Sequence, residues 1–167
     1  MQPKISFKPI ESRDIEQVFT WVHQPEIARW YQETSNWEDF QQKFEQKSHS
    51  EYCFGFMVYI DDVPIGYMQY YLADKVGNNW WPEEKAGTVG IDQFIGNLDY
   101  LGKGFGTQFI SEFIQKKLLI QKFVNKIIVD VDPENKRAIR CYQKVGFNEV
   151  GLINTPDGIA LLMIYAK

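Results

Sequence analysis

Cysteine is nearly absent from this sequence. Of 167 residues only Cys53 and Cys141 carry a thiol, they lie far apart, and neither belongs to a CxxC pair; His23 and His49 are equally isolated. Zinc-type sites gather three or four such ligands at short spacings, so no metal is expected. The chain needs no disulfide or metal staple either, because a domain of this length buries about two thirds of the surface its unfolded form exposes. Long apolar runs are also missing. No stretch of about 18 such residues is available to span a bilayer, and the start, Met1-Gln2-Pro3-Lys4-Ile5, lacks the apolar run of a signal peptide. A cytoplasmic protein away from membranes is the expectation. Positive charge falls short of negative, 18 Lys and Arg against 22 Asp and Glu for a net charge of −4. That balance argues against a nucleic-acid binder with its basic footprint and suits a small cationic ligand. With no internal repeat, low-complexity tract or linker, residues 1–167 are expected to form a single domain, as a monomer or weak homodimer.

What is present is apolar and aromatic. A hydrophobic share of 44% and an aromatic share of 16% exclude disorder and point to a heavy core or a ring-lined pocket. Ile5 and Phe7 alternate with Ser6 and Lys8 in a short strand ended by Pro9. Ser12 then caps a helix whose Ile15, Val18, Phe19 and Val22 face a core. Pro25 opens a shorter helical segment carrying Trp30 and Tyr31, and Ser35 or Asn36 precedes a third with Trp37, Phe40 and Phe44. Two adjacent rings cannot face the same way on a helix, so one of Trp30 and Tyr31 is available to line a cleft. Residues 52–60 and 64–72 read as a hairpin around Asp61-Asp62, with Gly66 interrupting the second strand. The polar loop of residues 73–87 holds Trp80 and Trp81, which cover either the domain's own edge or a ligand. Residues 88–96 form the next strand, with Asp92-Gln93 set between Ile91 and Phe94-Ile95. A carboxylate there either faces the surface, hydrogen-bonded, or stands at a cleft edge to orient or deprotonate a substrate.

The stretch Leu101-Gly102-Lys103-Gly104-Phe105-Gly106-Thr107 places three glycines at alternate positions between that strand and a helix. The helix is striped by Phe105, Phe109, Phe113 and Lys117, with Ile110 and Ile114 beside them, and runs to about Leu119. Glycine can take positive φ and bring amides close to a ligand, and a helix start adds partial positive charge. Such a loop is either a phosphate cradle or a flexible turn. Residues 126–131 read as a buried strand. In Asp132-Pro133-Glu134-Asn135 an N-cap, a proline at the first helical position and acids in the first turn open a helix. That helix carries Ala138, Cys141, Tyr142 and Val145 and is stopped by Gly146. Strands starting at Phe147 and over residues 159–165 flank the turn Thr155-Pro156-Asp157-Gly158.

The run Asn135-x-x-Ala138-x-x-x-Tyr142-x-Lys144-x-Gly146-Phe147 resembles the second signature of the GCN5-related N-acetyltransferase (GNAT) superfamily, and Gly102-Lys103-Gly104-Phe105-Gly106 resembles the first. One departure is Leu101, where the family usually has Gln or Arg; backbone amides do most of the holding, so an apolar residue is tolerable. A closer resemblance, over most of the chain, is to the aminoglycoside 6'-N-acetyltransferases. It rests on Pro64-Ile65-Gly66-Tyr67, Trp80-Trp81 followed by acids, Gly90-Ile91-Asp92-Gln93, Leu101-Gly102-Lys103-Gly104, Arg137-Ala138-Ile139-Arg140-Cys141-Tyr142 and Thr155-Pro156-Asp157-Gly158. The resemblance implies an α/β (α+β) fold: a central mixed, mostly antiparallel sheet of about seven strands, flanked by about four helices and splayed between the fourth and fifth strands.

It also implies acetyl-coenzyme A as co-substrate, with its pyrophosphate on the 102–107 loop. Phe94, Ile95, Leu101, Gly102, Lys103, Gly104, Phe105, Gly106, Thr107, Asn135 and Ala138 are the cofactor-binding candidates. Asp92 is the candidate for holding the amine and collecting its proton. A carboxylate of ordinary acidity, pKa about 3.9, is a weak base at pH 7, so electrostatic positioning is its safer role. Tyr142 looks like the family's acid for the coenzyme A sulfur, or else a buried core tyrosine, and strand amides near Phe94 are the natural oxyanion donors. An aminoglycoside carries several ammonium groups, which calls for carboxylates and flat apolar faces. Asp92, Asp130 and Asp157 with Trp30, Tyr31, Trp80 and Trp81 are the candidates; close relatives often have an acid where this chain has Asn78 and Asn79. Two alternatives stay open: acetylation of another amine, such as a protein N-terminus, lysine or siderophore precursor, and a coenzyme A binding module without turnover.

Overall fold

In the computed structural model of the chain, the described residues are 1–76, 81 and 84–166. Their strands are β1 (Ile5–Pro9), β2 (Cys53–Ile60), β3 (Val63–Leu72), β4 (Thr88–Ile95), β5 (Lys126–Val131), β6 (Phe147–Thr155) and β7 (Gly158–Tyr165). The helices are α1 (Ile15–Val22), α2 (Pro25–Ala28), α3 (Trp37–Ser48), α4 (Phe105–Phe113) and α5 (Lys136–Val145). The strands form one mixed sheet in the order β1-β2-β3-β4-β5-β7-β6. β1 runs antiparallel to β2, and β7 antiparallel to both β5 and β6, while β4 and β5 run parallel. The chain divides into two compact units, Met1–Gln69 with Gln93–Phe105, and Tyr70–Asp92 with Gly106–Lys167.

The first unit is built around the apolar stripe of α1. Ile15, Val18, Trp21 and Val22 are buried with Phe40, Phe44, Met57, Tyr67 and Phe94. Burial of each such side chain stabilises by roughly 1.5–3 kcal/mol. Trp21 joins the stripe, while Phe19 lies partly buried with its ring edge-on to Phe40, centroids 5.0 Å apart. Helix α1 does not start on a Ser12 cap: Ser12–Asp14 form a 3-10 turn, and the Asp14 carboxylate accepts from the Glu11 amide at 2.9 Å. The cap expected at Asn36 is present, its side chain accepting from Asp39 N at 2.9 Å. Asp61 and Asp62 take φ of +46° and +67°, the left-handed pair that a tight hairpin turn between β2 and β3 requires. Gly66 has a steric reason: a Cβ there would come within 2.3 Å of the Phe94 carbonyl oxygen.

In the second unit, Phe109, Ile110 and Phe113 bury the face of α4. The helix does not continue regularly to Leu119. Residues Ile114–Leu118 form a π-turn closed by Leu119 N to Ile114 O at 2.9 Å, and Gln121 Nε2 donates to Lys117 O at 2.6 Å beside it. Strand β5 is buried from Ile127 to Val129, as its β-branched run predicts. The start of α5 corrects the sequence reading. Asp132 caps a turn rather than the helix, accepting from Glu134 N at 2.8 Å through Oδ1 and from Asn135 N at 2.9 Å through its carbonyl. Asn135 is the helix N-cap, and Gly146 ends the helix at φ +119°.

The β4–β5 ladder is short. It pairs Thr88, Val89 and Gly90 with Lys126, Ile127 and Ile128 and ends there, so residues 91–95 of β4 lie beyond it. Burial along β4 follows the same break. Thr88 to Ile91 are buried, and Asp92 and Gln93 are half-buried. Gly90 is required by packing: a Cβ there would lie 2.1 Å from the Tyr71 ring.

Candidate active site

The glycine loop has the conformation that its composition suggested. Gly102 and Gly104 take φ of +76° and +85°, the left-handed region that favours glycine. A Cβ at either would meet nothing within 4 Å, so here the residue type is dictated by backbone conformation and not by crowding. Gly102, Lys103 and Gly104 are exposed. The amides of Phe105, Gly106 and Thr107 open α4, where helix geometry supplies no intrahelical acceptor. Left-handed glycines leading into the amides of a helix start are an arrangement able to receive a phosphate oxygen. Upstream, Asn97 Oδ1 accepts from Asp99 N at 3.1 Å, and the Tyr100 ring packs on Phe105 with centroids 5.4 Å apart, fixing the entry to the loop.

The helix of the second signature is fixed at both ends. Asn135 Oδ1 accepts from Ala138 N at 3.2 Å. Tyr142 is buried on α5, and its ring meets Phe147 edge-on at 5.4 Å, with Phe147 in turn 5.5 Å from Tyr165. Beside Tyr142, Cys141 Sγ lies 3.3 Å from Thr107 Oγ1. The residue ending the glycine loop therefore touches the helix of the other motif. Burial pushes the Cys141 thiol above its ordinary pKa, partly offset by the Thr107 hydrogen bond and then by the charges of Lys144 and Arg137. A thiol kept as S–H at neutral pH is a poor nucleophile.

The remaining candidates fall as follows. Asp92 is half-buried, two residues past the last β4–β5 ladder pair. Phe94, on the same face of the strand, is 8% exposed, and its ring packs against Tyr31 at 5.0 Å and Tyr67 at 5.8 Å; Ile95 is half-buried. Trp30 and Tyr31 follow α2 in a turn and not on the helical segment expected: Tyr31 packs on Phe94, while Trp30 carries the Arg29 guanidinium over its face at 4.6 Å. Trp81 is 8% exposed, and its indole Nε1 is buried without an acceptor among the described residues. Asp130 is half-buried on β5 opposite Leu162, and Asp157 is exposed in the β6–β7 turn, where its amide donates to Thr155 Oγ1 at 3.3 Å. Trp80, Asn78 and Asn79 lie outside the described residues.

Sequence reading missed two devices around these positions. His23, noted only as an isolated histidine, places its ring nitrogens 2.7 Å from Phe19 O and 3.0 Å from Thr34 O. Lys43 Nζ donates to both Glu33 oxygens at 2.7 and 2.6 Å. Together they tie down the segment carrying Trp30 and Tyr31. Neither contact has a local signal, since the partners are 11 and 10 residues apart and lie outside any single helix. The Thr107–Cys141 contact spans 34 residues and was equally invisible.

The chain resembles known proteins along nearly its whole length. A family model described as an acetyltransferase (GNAT) domain matches residues 11–155. An aminoglycoside N(6')-acetyltransferase type 1 of Klebsiella pneumoniae is 33% identical over 172 residues, covering 98% of this chain and 83% of the relative. Among solved structures, AAC(6')-Ib in complex with parmomycin and acetyl-CoA superposes with a TM-score of 0.92 at 32% identity, covering 98% of this chain and 94% of that one. The same enzyme with coenzyme A and kanamycin gives 0.91 at 32% identity, covering 98% and 95%. With the paired signatures, the parallel β4–β5 junction and a domain match over most of its length, the chain belongs to the acetyltransferase (GNAT) family.

Proposed function

We propose that this protein transfers the acetyl group of acetyl-coenzyme A to the 6'-amine of aminoglycoside antibiotics, acting in the cytoplasm. The observation that carries the reading is likeness at about one third identity to an aminoglycoside 6'-acetyltransferase over 98% of the chain. The loop at residues 102–107 fits the pyrophosphate, with Asn135 and Ala138 on α5 and Phe94 and Ile95 on β4 for the pantetheine arm.

Acetyl-coenzyme A supplies the activated acetyl thioester. The substrate nitrogen, arriving as an ammonium, gives up one proton to free its lone pair, bonds to the acetyl carbon as the carbon–sulfur bond breaks, and loses a second proton as the amide forms; one proton reaches sulfur and the other passes to solvent. Asp92 holds the incoming ammonium by charge and takes its proton, directly or through water. Tyr142 directs its phenolic hydroxyl at the leaving sulfur. Trp30, Tyr31 and Trp81 offer rings to the sugars, and Asp92, Asp130 and Asp157 pair with ammonium groups. The net charge of −4 favours approach of a polycation.

A thiol-release assay with acetyl-coenzyme A across a panel of aminoglycosides, polyamines and lysine peptides tests this directly. Release with kanamycin or tobramycin is expected. Release with peptides or polyamines alone would replace the substrate assignment.

A further inference from the structure

Thr107 is the third residue of α4, and its amide belongs to the turn that opens the helix. Within that turn Gly106 has no side chain and Gln108 is exposed, whereas Thr107 is half-buried and reaches Cys141 on α5, Oγ1 to Sγ 3.3 Å. Helix α5 is a firm anchor. Its first turn is capped by Asn135, and Ile139 and Tyr142 bury its inner face. The half-buried thiol, its pKa raised by desolvation, stays S–H at neutral pH, so the pair is uncharged, and the hydrogen bond can run in either direction.

We propose that the Thr107–Cys141 contact is a clasp that sets the pose of the first turn of α4 and thereby tunes the affinity of the glycine loop for the pyrophosphate of coenzyme A. Thr107 and Cys141 act here as positioning residues, Cys141 without touching the cofactor. The physical ground is that amides in a first turn hold an anion only when they converge. The apolar stripe of Phe109, Ile110 and Phe113 fixes the helix further along; in the first turn Phe105 packs on Tyr100, and Thr107 adds the tie to α5. This inference rests on the reading of residues 102–107 as a coenzyme A cradle.

The test is titration calorimetry of coenzyme A with the parent protein, Thr107→Val, Cys141→Ala and the double variant, alongside Thr107→Ser, Cys141→Ser and the melting temperature of each. Either disrupting single change should weaken binding about five-fold, the size of one neutral hydrogen bond. The double variant should be no weaker than the worse single, because both changes remove one contact. The serine variants should recover most of the affinity. In turnover, KM for acetyl-coenzyme A should rise in parallel while kcat and the KM of the amine stay within about two-fold. Additive losses, or lowered melting temperatures with unchanged affinity, would overturn the clasp. A parent that fails to bind coenzyme A removes cradle and clasp together. A parent that binds coenzyme A yet acetylates no aminoglycoside removes only the substrate assignment, and the calorimetric comparison still decides the clasp.

Discussion

Asp92 carries the most chemistry of any single residue proposed. It sits where β4 has left its parallel partner, in a strand buried up to Ile91. A half-buried carboxylate at that point attracts an ammonium group more strongly than one in bulk water. Asp92→Asn keeps the shape and removes the charge. Turnover should fall roughly 100-fold with little change in melting temperature, if the carboxylate takes the proton as proposed. Trp81 offers a separate test. Its buried Nε1–H has no acceptor among the described residues, an arrangement costing about 1–3 kcal/mol unless another group, such as a ligand, supplies one. Trp81→Phe should leave stability unchanged or higher while raising the KM for a hydroxyl-rich aminoglycoside. Cys141 links structure to pH. Its thiol pKa is raised in the fold by burial, so the native state keeps its proton where the unfolded chain loses it. That contribution is complete below the ordinary thiol value, near 9.0, and is lost as pH rises through the higher folded value. Urea melts of the parent should show stability falling above about pH 9, and Cys141→Ala should flatten that part of the curve.

At the scale of elements, the two motif-bearing segments were legible and their boundaries were not. The glycine spacing and the phenylalanine stripe predicted a loop opening a helix, and the left-handed φ at Gly102 and Gly104 agrees. The π-turn at Ile114–Leu118 was hidden because one inserted residue barely disturbs an apolar periodicity. At the start of α5, Asp132 and Asn135 are both good capping residues, and Pro133 favours the first. The chain instead uses the Asp132 side chain and carbonyl to close a turn, leaving the cap to Asn135. Asn135→Ala should therefore cost about 1 kcal/mol, lowering the melting temperature by a few degrees, whereas Asp132→Ala should cost less. Gly104→Val forces a β-branched residue to φ +85° in open space. The strain, about 1–2 kcal/mol, is relieved by refolding the loop, so coenzyme A affinity should drop without loss of the fold. Normal affinity in calorimetry would misplace the phosphate site.

For the whole molecule, fold and family could be read because two signatures occur in order along one chain, each with a physical role: free amides at a helix start and a capped helix bearing a tyrosine. About seven strands were expected, and seven are found among the described residues. The restraints on the candidate site were not readable. His23 to Thr34, Glu33 to Lys43 and Thr107 to Cys141 are contacts between separated segments, and they exist only once the chain has folded. The central claim concerns regiochemistry, and one measurement addresses it most directly: initial rates of thiol release with a matched pair of aminoglycosides, identical except that one bears a 6'-amine and the other a 6'-hydroxyl. The account predicts turnover of the first, with a single acetyl group located at N6' by NMR, and no turnover of the second. Equal rates on both would contradict it.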